Sequence, residues 1–223
     1  MNEDVHGEST ICNIYFDTKQ YDLIRHSITK PFFKEKVRLR SYNTPTQNSK
    51  VYLEIKRKYD KVVGKRRIET TLEEIQKYKE NISSLQNVNE QIQKELDYTF
   101  KFNSLEPTMY ISYLRTAYYE KENMDFRATI DKNVLARNYD LHLESGSYGT
   151  PILNKNYYIL EIKTLGSIPL WFVRTINELN IKPGNFSKYG EAYEQIIMEK
   201  KEERITQYIF EELQIQNSME YAI

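Results

Sequence analysis

Apolar and charged residues alternate along several segments of the chain, with the period of two that is typical of β-strands with one buried face. In KEKVRLRSY, residues 34–42, Val37 and Leu39 share one face and Arg38 and Arg40 share the other. Strands are predicted at about residues 10–17, 34–42, 50–59, 61–69, 108–119, 125–131 and 155–163. The sequence therefore predicts a large sheet, antiparallel where a tight turn joins neighbouring strands.

Helices are predicted between and after these strands. Thr71 and Glu74 have the spacing of a capping box at the start of one helix, and a second helix is expected at about residues 88–100. Pro169 indicates the start of a third, and residues 190–215 are expected to be mostly helical. The predicted fold class is α+β, an antiparallel sheet with helices outside it.

The polar faces of the predicted strands are mostly cationic. Besides Arg38 and Arg40 they carry Glu54, Lys56, Lys58, Lys65, Arg67, Arg127 and Asp131. If these strands close into a barrel with the apolar face outward, the lumen holds many cations that repel one another. Only a polyanion makes that arrangement sensible, so the pattern predicts a lumen that binds one.

Net charge, cysteine content and the lengths of the apolar runs limit the possible partners and location of the protein. Lysine plus arginine and aspartate plus glutamate each number 32, so the formal net charge is zero, and we expect no nucleic acid as partner. The single Cys12 cannot form an internal disulfide, and no apolar run approaches the length of about 20 residues that spans a membrane. The acidic opening MNEDVHGE is not typical of a signal peptide. We therefore expect a cytoplasmic protein.

Each candidate residue also has a simpler interpretation. Alone, Arg38 and Arg40 are more typical of an exposed edge strand, and only the repeated pattern on neighbouring strands favours bidentate phosphate binding. Glu161 shares a strand face with Lys163, which is typical of an ion pair, although such a carboxylate also binds the divalent ion that accompanies phosphates. Ser187 fits a helix cap as well as a phosphate contact. P-loop, GxGxxG and GxSxG motifs are absent.

Seven segments in a fixed order carry a family resemblance: VRLRSY, LEIKRK, GKRR, YLRTAYY, RATID, YYILEIK and FSKYG. Together they resemble the VTC domain over about residues 10–195. That domain belongs to the triphosphate tunnel metalloenzymes and occurs in polyphosphate polymerases of the vacuolar transporter chaperone and in stand-alone bacterial proteins. The resemblance implies an antiparallel β-tunnel whose charged lumen binds ATP and polyphosphate or pyrophosphate.

The resemblance also implies roles for single residues. It places Arg38, Arg40, Lys56 and Arg115 at catalytic positions around the triphosphate, and it implies Mn²⁺ or Mg²⁺ on Glu161. The residues it implies in substrate binding are Lys58, Lys65, Arg67, Tyr113, Arg127, Lys163, Ser187 and Lys188.

Two features depart from the family pattern. Family members usually have an earlier strand with a basic and acidic cluster such as EKKY, which MNEDVHGES does not match. Asn185 stands where the family's polymerases have a lysine, which implies a weaker grip on phosphate. We expect one domain over residues 1–195 that lacks that first strand. A helical extension over residues 196–223 would pack on it, or bind a partner or a second copy.

Three functions are compatible with these observations. The first is a metal-dependent polyphosphate polymerase that transfers the γ-phosphate of ATP to a growing chain. A triphosphatase of the same fold differs only in that water replaces the phosphate acceptor. The alternative from another class is a module that binds polyphosphate, pyrophosphate or inositol phosphates without turnover. A structural protein that interacts through its C-terminal helix leaves the aligned cations unexplained.

Overall fold

The computed structural model describes residues 1–80, 85, 88–121 and 125–202. The strands in this part are β1 (Asn2–Asp17), β2 (Phe33–Tyr42), β3 (Lys50–Tyr59), β4 (Val62–Thr71), β5 (Glu106–Tyr119), β6 (Arg127–Arg137), β7 (Thr150–Pro151) and β8 (Ile159–Lys163). The helices are α1 (Asp22–Ile28), α2 (Leu72–Lys79), α3 (Glu90–Phe102), α4 (Leu170–Glu178) and α5 (Lys188–Tyr193), which continues into a π-helical turn at Glu194–Met198. None of these helices is long and apolar enough to cross a membrane.

All strands join one antiparallel sheet in the order β4-β3-β2-β1-β5-β6-β7, and β8 pairs with β6 beside β7. Within the described chain β4 and β8 do not pair, yet side chains from both line the same cavity. The sheet therefore curves around that cavity without closing. The predicted α+β fold with an antiparallel tunnel is confirmed, in the form of a tunnel with one open side.

Three strand boundaries differ from the predictions. β1 begins at Asn2 rather than near residue 10, because its polar first residues pair with the end of β5 after a register shift between Glu3 and Glu8. β6 continues to Arg137, where it pairs with Tyr110 beyond a bulge whose extra residue lies in β6 between Lys132 and Leu135. β8 is shorter than expected and begins only at Ile159. In each case pairing with a neighbouring strand, rather than local pattern, sets the boundary.

The convex face of the sheet packs under two helices, as the alternation predicted. Val37 lies opposite Ile55, and Leu39 lies opposite Leu53, and all four are buried. The side chains that cover them come from α2 and α3 and include Leu72, Ile75 and Leu96. Burial of this apolar face fixes which side of each strand points into the lumen.

The predicted capping box at the start of α2 is present. The Thr71 hydroxyl accepts a hydrogen bond from the Glu74 backbone N–H at 3.2 Å, and the Glu74 carboxylate accepts one from the Thr71 N–H at 3.2 Å. Both bonds satisfy backbone donors that the first turn would otherwise leave unpaired. The cap therefore anchors α2 to the end of β4.

The concave face also has an apolar part, which the sequence analysis did not predict. Ile11, Met109, Ile111 and Val134 form a second buried cluster there. Side chains of α1 and α5 cover it, among them Ile24, Tyr189, Ala192 and Tyr193. The helices thus fill part of the lumen and leave the charged part open. The predicted helical residues beyond 202, including Ile205 and Leu213, lie outside the described residues.

Candidate active site

The curved sheet encloses a cavity of about 560 Å³, a volume typical of small-molecule sites. Its walls come from β1 to β5, from β8 and from the residues around the start of α5. Of the residues that the structure describes, two carboxylates line it, Glu54 and Glu161. The cationic side chains among the described lining residues are Lys36, Arg38, Arg40, Lys56, Lys65, Arg115, Lys163 and Lys188. The cavity therefore has a large excess of positive charge.

Glu54 is the centre of the first group of ion pairs. Its side chain is only 2% exposed and lies 2.8 Å from Arg38, 2.6 Å from Lys65 and 3.2 Å from Arg67. The three cations come from β2 and β4, the neighbours of β3, so the strand register sets the group. Burial acts to raise the pKa of Glu54, but Arg38 and Lys65 outweigh it and hold the pKa at about 2.

Asp131 is the centre of the second group. Arg115 donates to both of its oxygens, from Nε to Oδ1 at 2.6 Å and from Nη2 to Oδ2 at 2.7 Å. Lys188 Nζ lies 2.6 Å from Oδ2. Burial acts to raise the pKa of Asp131, but Arg115 and Lys188 lower it below its ordinary value. One buried carboxylate thus joins β5, β6 and the first residue of α5.

Glu161 is the more accessible carboxylate of the lumen. It lies on β8 opposite Thr129 and 3.3 Å from both Arg115 and Lys163, and its side chain is 43% exposed. Burial acts to raise its pKa, but Lys163 and Arg115 lower it, so Glu161 is ionised at neutral pH. The structure therefore contains the ion pair with Lys163 that the simpler interpretation of Glu161 predicted.

The donor set limits the kind of metal ion that the site could hold. The described residues include no group of three or more histidine, cysteine, aspartate or glutamate side chains around one point. Glu161 offers a single carboxylate with an exposed edge. Mg²⁺ and Mn²⁺ take oxygen ligands, and Mg²⁺ commonly keeps waters and binds one carboxylate together with substrate phosphates. The residues thus fit an ion that arrives with a phosphate ligand.

Three lumen cations lack a carboxylate partner among the described residues. Arg40 is buried and donates only to neutral oxygens, Asn13 Oδ1 at 2.9 Å and the Tyr113 hydroxyl at 3.0 Å. Lys36 donates to the Ser187 hydroxyl at 2.8 Å. Lys56 is the third; burial lowers its pKa, and Arg38 and Lys163 lower it further against the opposite effect of Glu161. An anionic ligand would supply the missing partners.

Tyr15 lies in the positively charged part of the lumen. Its hydroxyl accepts a hydrogen bond from Arg38 Nη1 at 3.3 Å, and its ring stacks on Tyr189 with centroids 4.6 Å apart. Burial acts to raise the pKa of this phenol, yet Arg38 and Lys36 bring it below the ordinary tyrosine value. A negative charge is therefore stabilised at this point of the lumen.

Most of the residues predicted for the site meet in this cavity. Those that line it are Arg38, Arg40, Lys56, Lys65, Tyr113, Arg115, Glu161, Lys163, Ser187 and Lys188. Three do not line it. Arg67 pairs with Glu54 and lies over the Tyr52 ring at 3.7 Å, and Lys58 lines a neighbouring cavity. Arg127, the first residue of β6, is half exposed and lies 3.5 Å from Asp4.

Sequence reasoning missed three residues of the site. Lys36 continues the period of two backwards from Arg38 on β2, so the pattern itself could have identified it. Asp131 appeared on the charged face, but nothing in the sequence shows that it holds both Arg115 and Lys188. Tyr15 has no sequence signal, because tyrosine is common in half-buried strands.

The chain is similar to known proteins over most of its length. A family model described as the VTC domain matches residues 1–197. One similar solved structure, from Bacillus halodurans, is described as a candidate adenylate cyclase; it has 13% identity and a TM-score of 0.49, with 82% of this chain and 81% of that chain covered. Another is the PH1819 protein of Pyrococcus horikoshii OT3, with 14% identity, a TM-score of 0.41 and coverage of 88% and 85%. The curated proteins include no match.

Proposed function

The chain belongs to the VTC domain family, and from that premise we propose that it is a polyphosphate polymerase that uses ATP. The observation that carries the proposal is the excess of cations in the cavity, where Arg40, Lys36 and Lys56 lack carboxylate partners among the described residues. Arg40 is buried, Lys36 is partly buried and Lys56 is exposed, and a ligand of opposite charge stabilises such a cluster of like charges. The triphosphate of ATP supplies that charge.

Two guanidinium groups, one on each of the two strands that flank β1, hold the phosphates in this proposal. Arg38 is fixed by Glu54 and Arg115 is fixed by Asp131, so both are oriented before the ligand arrives. Donors that are already oriented need little reorganisation when charge moves in the transition state, so they stabilise that charge at a low cost in free energy. Lys56, Lys65 and Lys163, on β3, β4 and β8, add positive charge to the same cavity.

The transfer needs no protein nucleophile. A terminal oxygen of the acceptor chain attacks the γ-phosphorus, a new P–O bond forms, and the bond from that phosphorus to the β,γ-bridging oxygen breaks. The electron pair leaves with ADP, and the chain becomes one phosphate longer. The lumen cations neutralise the charge that moves onto the leaving oxygen.

Glu161 is the residue that would hold the divalent ion together with phosphate oxygens. When bound, that ion supplies charge neutralisation between neighbouring phosphates. The neighbouring Arg115 and Lys163 keep Glu161 ionised, and they are free to turn to phosphate once the carboxylate has another partner. Mn²⁺ or Mg²⁺ as cofactor, ATP and polyphosphate or pyrophosphate as ligands, and a cytoplasmic location all belong to this proposal.

The test is incubation of the purified protein with ATP and Mn²⁺, followed by a gel that separates long polyphosphate from free phosphate. We expect a ladder of long chains that requires the metal and is lost in Arg115→Ala. The control is Arg25→Ala, which removes an exposed arginine of α1 outside the cavity. Absence of any metal-dependent product would contradict the proposal.

A triphosphatase is the second candidate, and one observation favours it. The gap between β4 and β8 leaves one side of the lumen without a strand pair among the described residues, so water can reach the phosphates. Water as acceptor converts the transferase into a hydrolase with the same binding groups. Free phosphate without a ladder would identify this activity.

A further inference from the structure

A buried carboxylate lies at the end of β1, outside the set of residues that the proposed transfer uses. Asp17 is fully buried and does not line the active-site cavity. Its hydrogen-bond donors among the described residues are three backbone N–H groups and one phenol, all of them neutral. Because burial of a charge is costly unless hydrogen bonds satisfy it, these donors are what allows a carboxylate at this position.

The first element that Asp17 holds is α1. Its Oδ1 accepts a hydrogen bond from the backbone N–H of Leu23 at 2.8 Å, and its Oδ2 accepts one from that of Ile24 at 3.0 Å. These N–H groups belong to the first turn of α1 and have no partner within the helix. Tyr21, which precedes α1, has a φ of 60° and gives no side-chain cap bond. Asp17 therefore serves as the cap from a neighbouring strand.

The second element that Asp17 holds is α5. The Tyr189 hydroxyl lies 2.9 Å from Asp17 Oδ2 and 2.9 Å from the Thr108 hydroxyl. An ionised carboxylate only accepts, so the phenol proton is donated to Asp17. Burial and the charge of Asp17 raise the pKa of Tyr189 well above its ordinary value, and the phenol therefore keeps that proton. Tyr189 is the second residue of α5, so this bond fixes the start of the helix.

Tyr189 follows directly on two residues that line the active-site cavity, Ser187 and Lys188. The Ser187 hydroxyl accepts a hydrogen bond from Lys36 at 2.8 Å, and Lys188 Nζ lies 2.6 Å from Asp131. The Asp131 contact holds only the end of a long side chain. The backbone from which that side chain extends is held by the Tyr189 hydroxyl.

The ring of Tyr189 also contacts the opposite side of the cavity. It stacks on the ring of Tyr15, with centroids 4.6 Å apart and 18° between the planes. The Tyr15 hydroxyl in turn accepts a hydrogen bond from Arg38 at 3.3 Å. The position of Tyr189 therefore affects the cavity through its ring as well as through its neighbours in the chain.

We propose that Asp17 is a positioning residue, which through its hydrogen bond with the Tyr189 hydroxyl sets the position of Lys188 and Ser187 in the phosphate-binding cavity. This inference rests on the proposed function, because it assigns the bond to the same reaction. The family match and the transfer chemistry assign no role to Asp17 or to the Tyr189 hydroxyl. Asp17 contacts no phosphate, so it acts on affinity only through α5.

The test uses Tyr189→Phe, which removes the hydroxyl and keeps the ring that stacks on Tyr15. This variant is sharper than Asp17→Asn, which also disturbs the cap of α1. Calorimetry measures tripolyphosphate binding without ATP or metal, so that no turnover occurs. We expect the affinity to fall about tenfold, because Lys188 and Ser187 are no longer held in place before the ligand binds.

The matched control is Tyr78→Phe. Tyr78 of α2 also donates its hydroxyl proton to a carboxylate, that of Asp97 on α3, and neither residue lines the cavity. The substitution therefore removes the same kind of hydrogen bond at a distance from the phosphate site. We expect tripolyphosphate affinity to change by less than about twofold in this variant.

A double-mutant cycle separates positioning from a general loosening of the fold. Lys188→Gln removes one of the groups that Tyr189 positions, so Tyr189→Phe should weaken tripolyphosphate binding by a smaller factor in that background than in wild type. General loosening would give the same factor in both backgrounds. Ser187→Ala provides a second background for the cycle if Lys188→Gln does not fold.

Three results would overturn the positioning role while the proposed function stands. They are unchanged tripolyphosphate affinity in Tyr189→Phe, an equal loss in Tyr78→Phe, and the same factor in both backgrounds of the cycle. Failure of the wild-type protein to bind tripolyphosphate would instead refute the proposed function, and the positioning role with it.

Discussion

Arg115 and Asp131 face each other across β5 and β6 and share two parallel hydrogen bonds of 2.6 and 2.7 Å. Asp131 is fully buried and also holds Lys188, so one carboxylate positions two cations from different parts of the chain. The pair therefore links the fold to the site, since the residue that orients Arg115 is also a residue on which α5 is anchored.

Asp131→Asn should destabilise the protein strongly. The substitution leaves Arg115 and Lys188 close together without the buried charge that holds them, and breaking a buried pair commonly costs about 3 kcal/mol or more. Urea denaturation measures the change in the free energy of unfolding. The control is Glu69→Gln, which removes an exposed partner of Lys50 and should cost less than about 1 kcal/mol. Equal losses in the two variants would contradict the assignment.

Glu54→Gln should lower stability in a way that depends on pH. The folded-state pKa of about 2 lies below the ordinary value of about 4.3. The carboxylate therefore contributes stability above the ordinary pKa, and this contribution is lost as the pH falls through about 2. At neutral pH the shift corresponds to roughly 3 kcal/mol. Unfolding curves of wild type and variant should converge between about pH 4 and about pH 2; a constant difference would contradict the account.

The same variant should bind tripolyphosphate more tightly. Glu54 forms ion pairs with Arg38, Lys65 and Arg67, and its neutralisation frees them for phosphate. Calorimetry at neutral pH measures this, under conditions in which the variant is folded. If Glu54 acts mainly by orienting Arg38, the variant should instead bind tripolyphosphate more weakly. The direction of the change in affinity therefore distinguishes competition with phosphate from orientation of Arg38.

Binding of phosphate should weaken at alkaline pH. Burial and the neighbouring cations lower the pKa of Lys36 and of Lys56 below the ordinary lysine value of about 10.4, so both begin to lose their charge below that pH. The pKa of Tyr15 is also lowered, so its ionisation adds a negative charge to the lumen as the pH rises. Tripolyphosphate affinity should therefore fall as the pH rises from about 7 to about 10. An affinity that stays constant over this range would contradict a role for these groups.

Substitutions of Arg38, Arg115 and Glu161 should separate phosphate binding from turnover. Arg38→Ala and Arg115→Ala each remove several charge-assisted contacts, so each should weaken tripolyphosphate binding by about a hundredfold. Glu161→Gln should leave that binding largely intact and remove metal-dependent turnover, because only the carboxylate holds the divalent ion. Wild-type turnover in Glu161→Gln would overturn the metal assignment.

Local pattern was sufficient to predict the faces of the strands. The alternation around Val37, Leu39 and Arg38 predicted which side chains pack under the helices and which enter the lumen, and the register confirms it. The capping box at Thr71 was predicted for the same reason, since its hydrogen bonds join residues three positions apart. Interactions between residues that are only a few positions apart can be identified from the sequence.

Interactions between distant segments could not be predicted in this way. Lys188 reaches Asp131 and Lys36 reaches Ser187 across long stretches of chain, and only the fold brings them together. The apolar part of the concave face depends on how α5 packs into the lumen. The neighbouring cavity that Lys58 lines also has residues of α1 and α5 in its walls, which lie far from β3 in the sequence, so no local pattern encodes it.

The most direct test of the central claim follows the phosphorus atoms. Purified protein is incubated with Mn²⁺ and ATP that carries the label either at the γ-phosphate or at the α-phosphate, and the products are separated on a gel. Label in long polyphosphate from γ-labelled ATP, and label only in ADP from α-labelled ATP, is the predicted result. Labelled polymer from α-labelled ATP, or no labelled product from either, would contradict a phosphoryl transfer in this cavity.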